Sequence, residues 1–269
     1  MHLLFEFMKL KIIIFHILLF FSIVAFSQVG PATNQTDAAG KKKGHWIMKE
    51  KNILIYESFF KDGHPVGEFK RYNRNNTIKS LLIYSEDGKE ADATIYHPNG
   101  LVASKGKYIN QLKEGIWKFY SQYAEGYLIS ESYYSKNLKN GSSIQYFPEE
   151  KIAEKLNFVN DVRHGEWTQY YMNGVMSLRT NYTKGSLNGK FEVWFEDGKP
   201  QLAGHYKNNL KEGRWLVYKE DGALKYEMDY VAGFTDNKQM EIDESNFLDS
   251  LENNKEKIFD PEKTGIIWK

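Results

Sequence analysis

A glycine recurs along this chain at nearly equal steps: Gly44, Gly67, Gly115, Gly141, Gly165, Gly189 and Gly213, with Ala91 in the one place where it is missing. Successive anchors are 23, 24, 24, 26, 24, 24 and 24 residues apart. A fixed period in this range marks a repeat architecture, built from small units that bury their apolar faces by stacking on neighbours.

Each anchor opens the same pattern. Two residues on stands a bulky apolar residue: Trp46, Phe69, Trp117, Trp167, Phe191 or Trp215. Three further on stands an aromatic: Tyr72, Tyr96, Tyr120, Tyr146, Tyr170, Trp194 or Tyr218. A second glycine follows at Gly100, Gly174, Gly198 and Gly222, mostly closing an Asn-Gly or Asp-Gly pair. Such a pair between β-rich runs predicts a two-residue hairpin turn with both residues at positive φ. Another aromatic closes the unit at Tyr84, Tyr108, Phe158, Tyr182, Tyr206 and Tyr230, before a polar link such as Lys184-Gly185 or Asn208-Asn209. Each unit reads as strand, tight turn, strand, loop. Because side chains alternate along a strand and cross-strand partners share a side, the sixth unit should have two unlike faces. Face A collects Trp167, Tyr171, Met176, Leu178 and Tyr182. Face B collects Glu166, Thr168, Tyr170, Ser177, Arg179 and Asn181.

A lone hairpin is marginal in water, so the units are expected to pair edge to edge. The predicted fold is all-β: an elongated open antiparallel sheet of tandem β-hairpins, followed by a C-terminal helix. The pattern G-x-W-x-x-Y-(Y)-x-N-G-x(7)-Y resembles the MORN repeat in its bacterial variant form, and residues 210–233, LKEGRWLVYKEDGALKYEMDYVAG, match it closely. The resemblance covers eight units from Gly44 to Gly233. Departures are Ala91 and Ala93 in the third unit, Ser143 for tryptophan in the fifth, and two inserted residues near Gln122 to Gly126 in the fourth. The first unit is poor beyond its Gly-x-Trp. The resemblance implies an open sheet used as an interaction scaffold, in a family whose members are often described as antitoxin-like. It implies no catalytic residues.

The flanks read differently. Ile12 to Phe26 is apolar, follows Lys9 and Lys11, and ends Ala25-Phe26-Ser27 before Gln28, the layout of a signal peptide over residues 1–27. A membrane anchor is the competing reading, but the run is short beside the ~20 apolar residues that a span needs. Removal of 1–27 takes away Lys9, Lys11 and Glu6 and leaves a formal net charge of zero, so no bulk field argues for nucleic acid or anionic membrane. Residues 28–43 read as a linker ending in the solvated triplet Lys41-Lys42-Lys43. After the repeats (44–233), residues 234–269 form an acidic segment. Asp236 and Gln239 suggest a capping box, and Met240, Phe247, Leu251 and Ile258 align on one helix face. A terminal cap is the plain reading of this segment, a partner-binding tail the other.

Little in the chain suggests chemistry. There is no cysteine, which excludes disulfides, thiolate metal sites and a cysteine nucleophile. The histidines form no H-E-x-x-H pair, and neither G-x-S-x-G nor a phosphate loop occurs. Glu86-Asp87, Glu196-Asp197 and Glu220-Asp221 recur at turn positions, where Asp suits the geometry. The chain is therefore read as non-enzymatic, with no cofactor and no metal. The candidate site is the face B stripe Tyr72, Tyr96, Tyr120, Tyr146, Tyr170, Trp194 and Tyr218, rings that either stack from unit to unit or present a row of amphipathic contacts. The expected protein is secreted or periplasmic, with no membrane span after signal cleavage. It binds an unidentified protein or cell-envelope component. An aromatic-lined carbohydrate- or peptidoglycan-binding module, or an antitoxin-like protein neutralising a partner toxin, are the alternatives.

Overall fold

The computed structural model describes residues 32–236. The expected signal segment, and the expected C-terminal helix beyond Asp236, lie outside the described residues. The described chain is one antiparallel meander in which successive strands pair side by side, the first strand of each of the last two units being interrupted and pairing in two pieces with the strand before it. A short β1 (Gln35–Thr36) precedes eight hairpins. These are β2–β3 (Lys42–Glu50, Ile53–Lys61), β4–β5 (His64–Tyr72, Ile78–Tyr84), β6–β7 (Glu90–Tyr96, Val102–Ile109) and β8–β9 (Leu112–Tyr120, Leu128–Ser135). Then come β10–β11 (Leu138–Tyr146, Ile152–Val159), β12–β13 (Val162–Tyr170, Met176–Thr183), β14 with β15–β16 (Ser186–Leu187, Gly189–Trp194, Pro200–Lys207), and β17 with β18–β19 (Leu210–Lys211, Gly213–Tyr218, Leu224–Tyr230). The larger contacts between elements all join neighbours in sequence, save that β13 meets β15 past the short β14, and β16 meets β18 past the short β17.

Part of the segment expected to be a linker is structured. Gln35 and Thr36 pair with Lys43 and Lys42, and the Trp46 indole N–H donates to the Gln35 carbonyl at 2.9 Å. Asp37 holds the connecting turn by accepting from the N–H groups of Ala39 and Lys41 at 2.8 and 2.9 Å. This contact pairs part of the outer edge of β2, which a bare sheet end would leave open.

The turns also fall differently from expectation. At Asn173-Gly174 the Gly174 N–H donates to the Tyr171 carbonyl at 2.9 Å, and the Tyr171 N–H donates to Val175 at 2.8 Å. Only Gly174 has positive φ, at 87°. This is a three-residue loop, a type I turn closed by a glycine in the left-handed region, and it shifts the register between Gln169 and Tyr170. Two-residue turns with both φ positive lie at links between units, as at Lys184-Gly185 (51° and 86°), Asn208-Asn209 (51° and 68°) and Asn160-Asp161 (49° and 66°), and inside the first hairpin at Lys51-Asn52 (46° and 66°). An Asn-Gly pair is compatible with either turn, so the dipeptide alone could not assign it.

The anchor glycines mark bulges. In β12, His164, Gly165 and Glu166 together face Asn157 of β11, between the pairs Leu156 with Trp167 and Phe158 with Arg163. Gly165 has φ of 80° there. The third unit explains its own departure. Ala91 has no positive φ, and β5 pairs with β6 without any shift. The link before it is correspondingly longer: Ser85 bonds Glu90 across Glu86, Asp87, Gly88 and Lys89, with Gly88 at φ 68°. Residues that elsewhere form the bulge are in the loop here, so the 24-residue period survives the loss of the anchor glycine.

Face A holds the core. Across the sheet its central row alternates rings with smaller groups: Trp46 faces Ser58, Trp167 faces Thr180, and Phe191 faces Gly204. Strands are only ~4.8 Å apart, so a flat ring needs a small residue beside it. A Cβ added to Gly106 would collide with the Trp117 ring, and one added to Gly204 with the Trp215 ring. Trp117 and Trp215 are 1% and 0% exposed, although the sheet has a single layer. Where Ser143 replaces tryptophan, it instead hydrogen-bonds Ser132 at 2.8 Å, and the buried core divides into one cluster through Trp117 and another from Leu156 to Tyr230.

Candidate functional site: the aromatic row on the polar face

Face B carries a row of charged and small side chains in direct register. Glu57 lies opposite Lys70, Lys118 opposite Glu131, and Arg179 opposite Glu192. The last pair is tight, with Nη2 2.7 Å from Oε2, whereas Lys118 and Glu131 are 3.7 Å apart. Exposed pairs of this kind are worth ~0–1 kcal/mol each, so the row is a polar surface more than a source of stability.

The predicted stripe borders this row. Tyr72, Tyr96, Tyr120, Tyr146, Tyr170, Trp194 and Tyr218 are the last residues of β4, β6, β8, β10, β12, β15 and β18. All seven are half-buried. Each stands at the register shift of its hairpin, facing Ile78, Val102, Leu128, Ile152, Met176, Pro200 or Leu224. Met176, expected on face A with Trp167, therefore pairs with Tyr170. The cause is the extra residue of the three-residue loop. Tyr171, also expected on face A, reaches sideways, its hydroxyl donating to the Trp194 carbonyl in the next unit at 2.8 Å.

The stripe rings do not stack on one another among the described residues. Consecutive rings are two strands apart, about 10 Å, beyond the ~4.5–7 Å of ring contact. Several are instead tied to a charged residue of the preceding unit. The Tyr72 hydroxyl donates to Glu57 Oε1 at 2.6 Å, Tyr146 bonds Glu131, and the Arg179 guanidinium lies 5.6 Å from the Trp194 ring centre.

Burial, reinforced by the neighbouring carboxylate, pushes the Tyr72 and Tyr146 phenols up to about 12. A pKa raised on folding contributes stability that is intact below the unfolded value of about 10 and is lost as pH rises through the folded value. Alkaline difference absorbance at 295 nm is expected to show a late-titrating class near pH 12 that shrinks in Tyr72→Phe and in Tyr146→Phe. Unchanged titration curves in both variants would contradict the assignment.

Two recurring groups escaped the sequence reading. Basic residues two positions before the anchor lie over face A rings: Lys42 Nζ is 4.5 Å from the Trp46 ring centre, Lys113 4.8 Å from Trp117, and Lys211 5.0 Å from Trp215. Their stems cover rings that a single-layer sheet would otherwise leave wet. Lys42, expected in a solvated lead-in, instead covers the Trp46 ring. The recurrence Lys42, Lys89, Lys113, Lys139, Arg163, Lys211 was visible in the sequence. The second group is the Asx residue of the links: Asn137, Asp161 and Asn209 each accept from a backbone N–H of the preceding unit at 2.6 Å. The acidic turn residues behave as turn formers. Asp197 and Asp221 accept from the N–H two residues on at 3.0 and 2.8 Å.

The family model described as the MORN repeat variant matches residues 163–184, 187–208 and 211–232. Residues 163–232 carry three tandem MORN repeats of the variant form. The matched MORN repeats correspond to the last three hairpins, where anchor, ring and turn follow the pattern most fully. No curated protein matches the sequence. Among solved structures, the crystal structure of TcdB2-TccC3-Cdc42 is similar at 11% identity and a TM-score of 0.19, over 72% of this chain and 13% of that one. That of TcdB2-TccC3 has the same identity and TM-score, over 74% and 13%. The chain thus spans about an eighth of the length of either, at 13%.

Proposed function

We propose that this MORN-repeat protein is a secreted or periplasmic, non-enzymatic scaffold that binds a protein or cell-envelope component across face B. The reading rests on one observation: seven half-buried rings run in register along a polar sheet face, none stacked on the next. A half-buried ring that borders a polar row and has an apolar residue opposite it offers apolar area together with a hydrogen-bonding tip, the make-up of interface anchors. An open cleft of about 630 Å³ on this face takes in Tyr120 with Thr94, Lys105, Ile116, Lys118 and Tyr133. No helix of the described residues is long and apolar enough to cross a membrane. Aromatic rows also suit sugar rings, so a carbohydrate or peptidoglycan ligand is the second reading.

The test is a triple variant, Tyr120→Ser, Tyr170→Ser and Trp194→Ser, in the full chain without residues 1–27. Immobilised variant and parent are compared for capture from the cell-envelope fraction and for binding to purified peptidoglycan, with circular dichroism as the folding control. The variant is expected to lose most of what the parent captures. Equal capture by a folded variant would overturn the face B assignment.

A further inference from the structure

Each stripe ring has a diagonal neighbour on face B: the residue of the preceding unit that pairs two positions before it. For Tyr72 and Tyr146 this neighbour is an acid, Glu57 or Glu131, and the phenol bonds it. For Tyr96 and Tyr218 it is apolar, Leu81 or Ala203. For Tyr120, Tyr170 and Trp194 it is a base, Lys105, Lys155 or Arg179. Arg179 is bridged to Glu192, but Lys105 and Lys155 are exposed and form no ion pair among the described residues. These bases belong to one straight row. From Lys105 on β7 to Arg179 on β13 its seven residues pair in direct register, and four are basic (Lys105, Lys118, Lys155, Arg179) against one acid, Glu131. Lys105 faces Lys118 directly, and like charges in that relation are destabilising. Acids beside the row are engaged: Glu131 with Lys118 at 3.7 Å and with the Tyr146 hydroxyl, Glu90 with Lys107 at 3.1 Å, and Glu114 with the Lys136 N–H at 3.0 Å. Asp92 and Glu166 stand one row away. The whole chain has a formal net charge of +1, so the basic excess is local to this stretch.

We propose that face B between β7 and β15 binds a linear acidic polysaccharide running across the strands, each ring with its base holding one acidic sugar. This assignment rests on the stripe being the binding surface and adds the class of ligand. The apolar C–H face of a sugar lies on the ring, and its carboxylate meets the base diagonal to that ring. The open cleft of about 630 Å³ is one such place, with Tyr120, Lys105 and Lys118 in its walls. Rings recur on every second strand, about 10 Å apart, whereas stacked bases advance by ~3.4 Å. Spaced sugars therefore fit the row better than a nucleic acid. A polyglutamate chain matches the charges but brings no flat apolar face to the aromatics.

Polygalacturonate is the probe, its methyl-esterified form the uncharged reference, and polyphosphate and polyglutamate the tests of charge alone. Each is titrated calorimetrically into the full chain without residues 1–27, at low and at high salt. Polygalacturonate is expected to bind at least several-fold more tightly than the other three, and less tightly as salt rises. Lys105→Gln with Lys155→Gln is expected to weaken that binding several-fold with circular dichroism unchanged. Lys61→Gln with Lys207→Gln, the same charge change at two strand ends, should leave it intact. The triple stripe variant should lose it. Absence of polygalacturonate binding, equal binding of any of the other three polymers, or unchanged binding by the folded Lys105 and Lys155 variant would each overturn the proposal. None of these results touches the face B reading itself, which falls only if the folded triple stripe variant still captures envelope material.

Discussion

Replacing Trp167 by alanine is expected to destabilise the array by ~3–5 kcal/mol, the usual cost of truncating a buried large aromatic, whereas Tyr170→Ala should cost clearly less. The two residues are three apart on β12 but face opposite ways. Trp167 is buried between Leu156 on one side and Thr180 on the other, and its ring lies 5.8 Å from Tyr182. Tyr170 is half-buried beside Met176 at the hairpin end. Since contacts run mainly between sequence neighbours, the damage should be local, as in other repeat arrays. Hydrogen exchange is expected to show lost protection between about residues 141 and 213 in Trp167→Ala, with the first hairpins unaffected. If Tyr170→Ala proved equally damaging, the two faces would have been assigned the wrong way round.

Gly204→Ala is expected to cost ~1–3 kcal/mol, the range for overpacking a tightly filled site. It is an unusual site for so small a change, because alanine suits a strand at this position and Gly204 has no positive φ. The obstacle is the Trp215 ring, into which the added methyl would project. That ring cannot lift freely: Phe191, Tyr206 and Tyr230 flank it and Lys211 lies over it at 5.0 Å. Gly174→Ala makes the informative comparison. No atom stands within 4 Å of its added Cβ, so only the strain of φ at 87° opposes it, roughly 1–2 kcal/mol. Urea unfolding of both variants measures the difference. Truncating the ring in the double variant Gly204→Ala with Trp215→Leu should remove most of the Gly204 effect. Additive losses in the double variant would show that the collision is not the cause.

Much of this was legible residue by residue. The anchor spacing identified the repeat, and the period-2 alternation separated Trp167, Leu178 and Tyr182, which are buried, from Glu166 and Arg179, which are not. Those properties are local: they follow from side chains alternating along a strand and from apolar groups leaving water. The same reasoning found the seven stripe rings, because a recurring aromatic on a polar face is visible in one dimension. It did not find that Lys42, Lys113 and Lys211 roof the opposite face, since a lysine before a glycine reads as solvated until the ring beneath it is known.

What the amino-acid order determined by itself was the period, the all-β hairpin character and the identity of the apolar face. Register was decided only by the assembled sheet. Asn173-Gly174 is compatible with two kinds of turn, and the choice depends on which hydrogen bonds β12 and β13 can close together. Ala91 reads as a defect in the motif, yet the ladder absorbs it by moving residues from a bulge into the preceding loop. Ala93 likewise reads as a lost ring, yet Leu82, which pairs with it, and Trp117 of the next unit leave it buried. Alternation and burial are settled within a strand, but turn type, bulge placement and the filling of a gap depend on how strands from different units align, and that alignment is a property of the whole ladder.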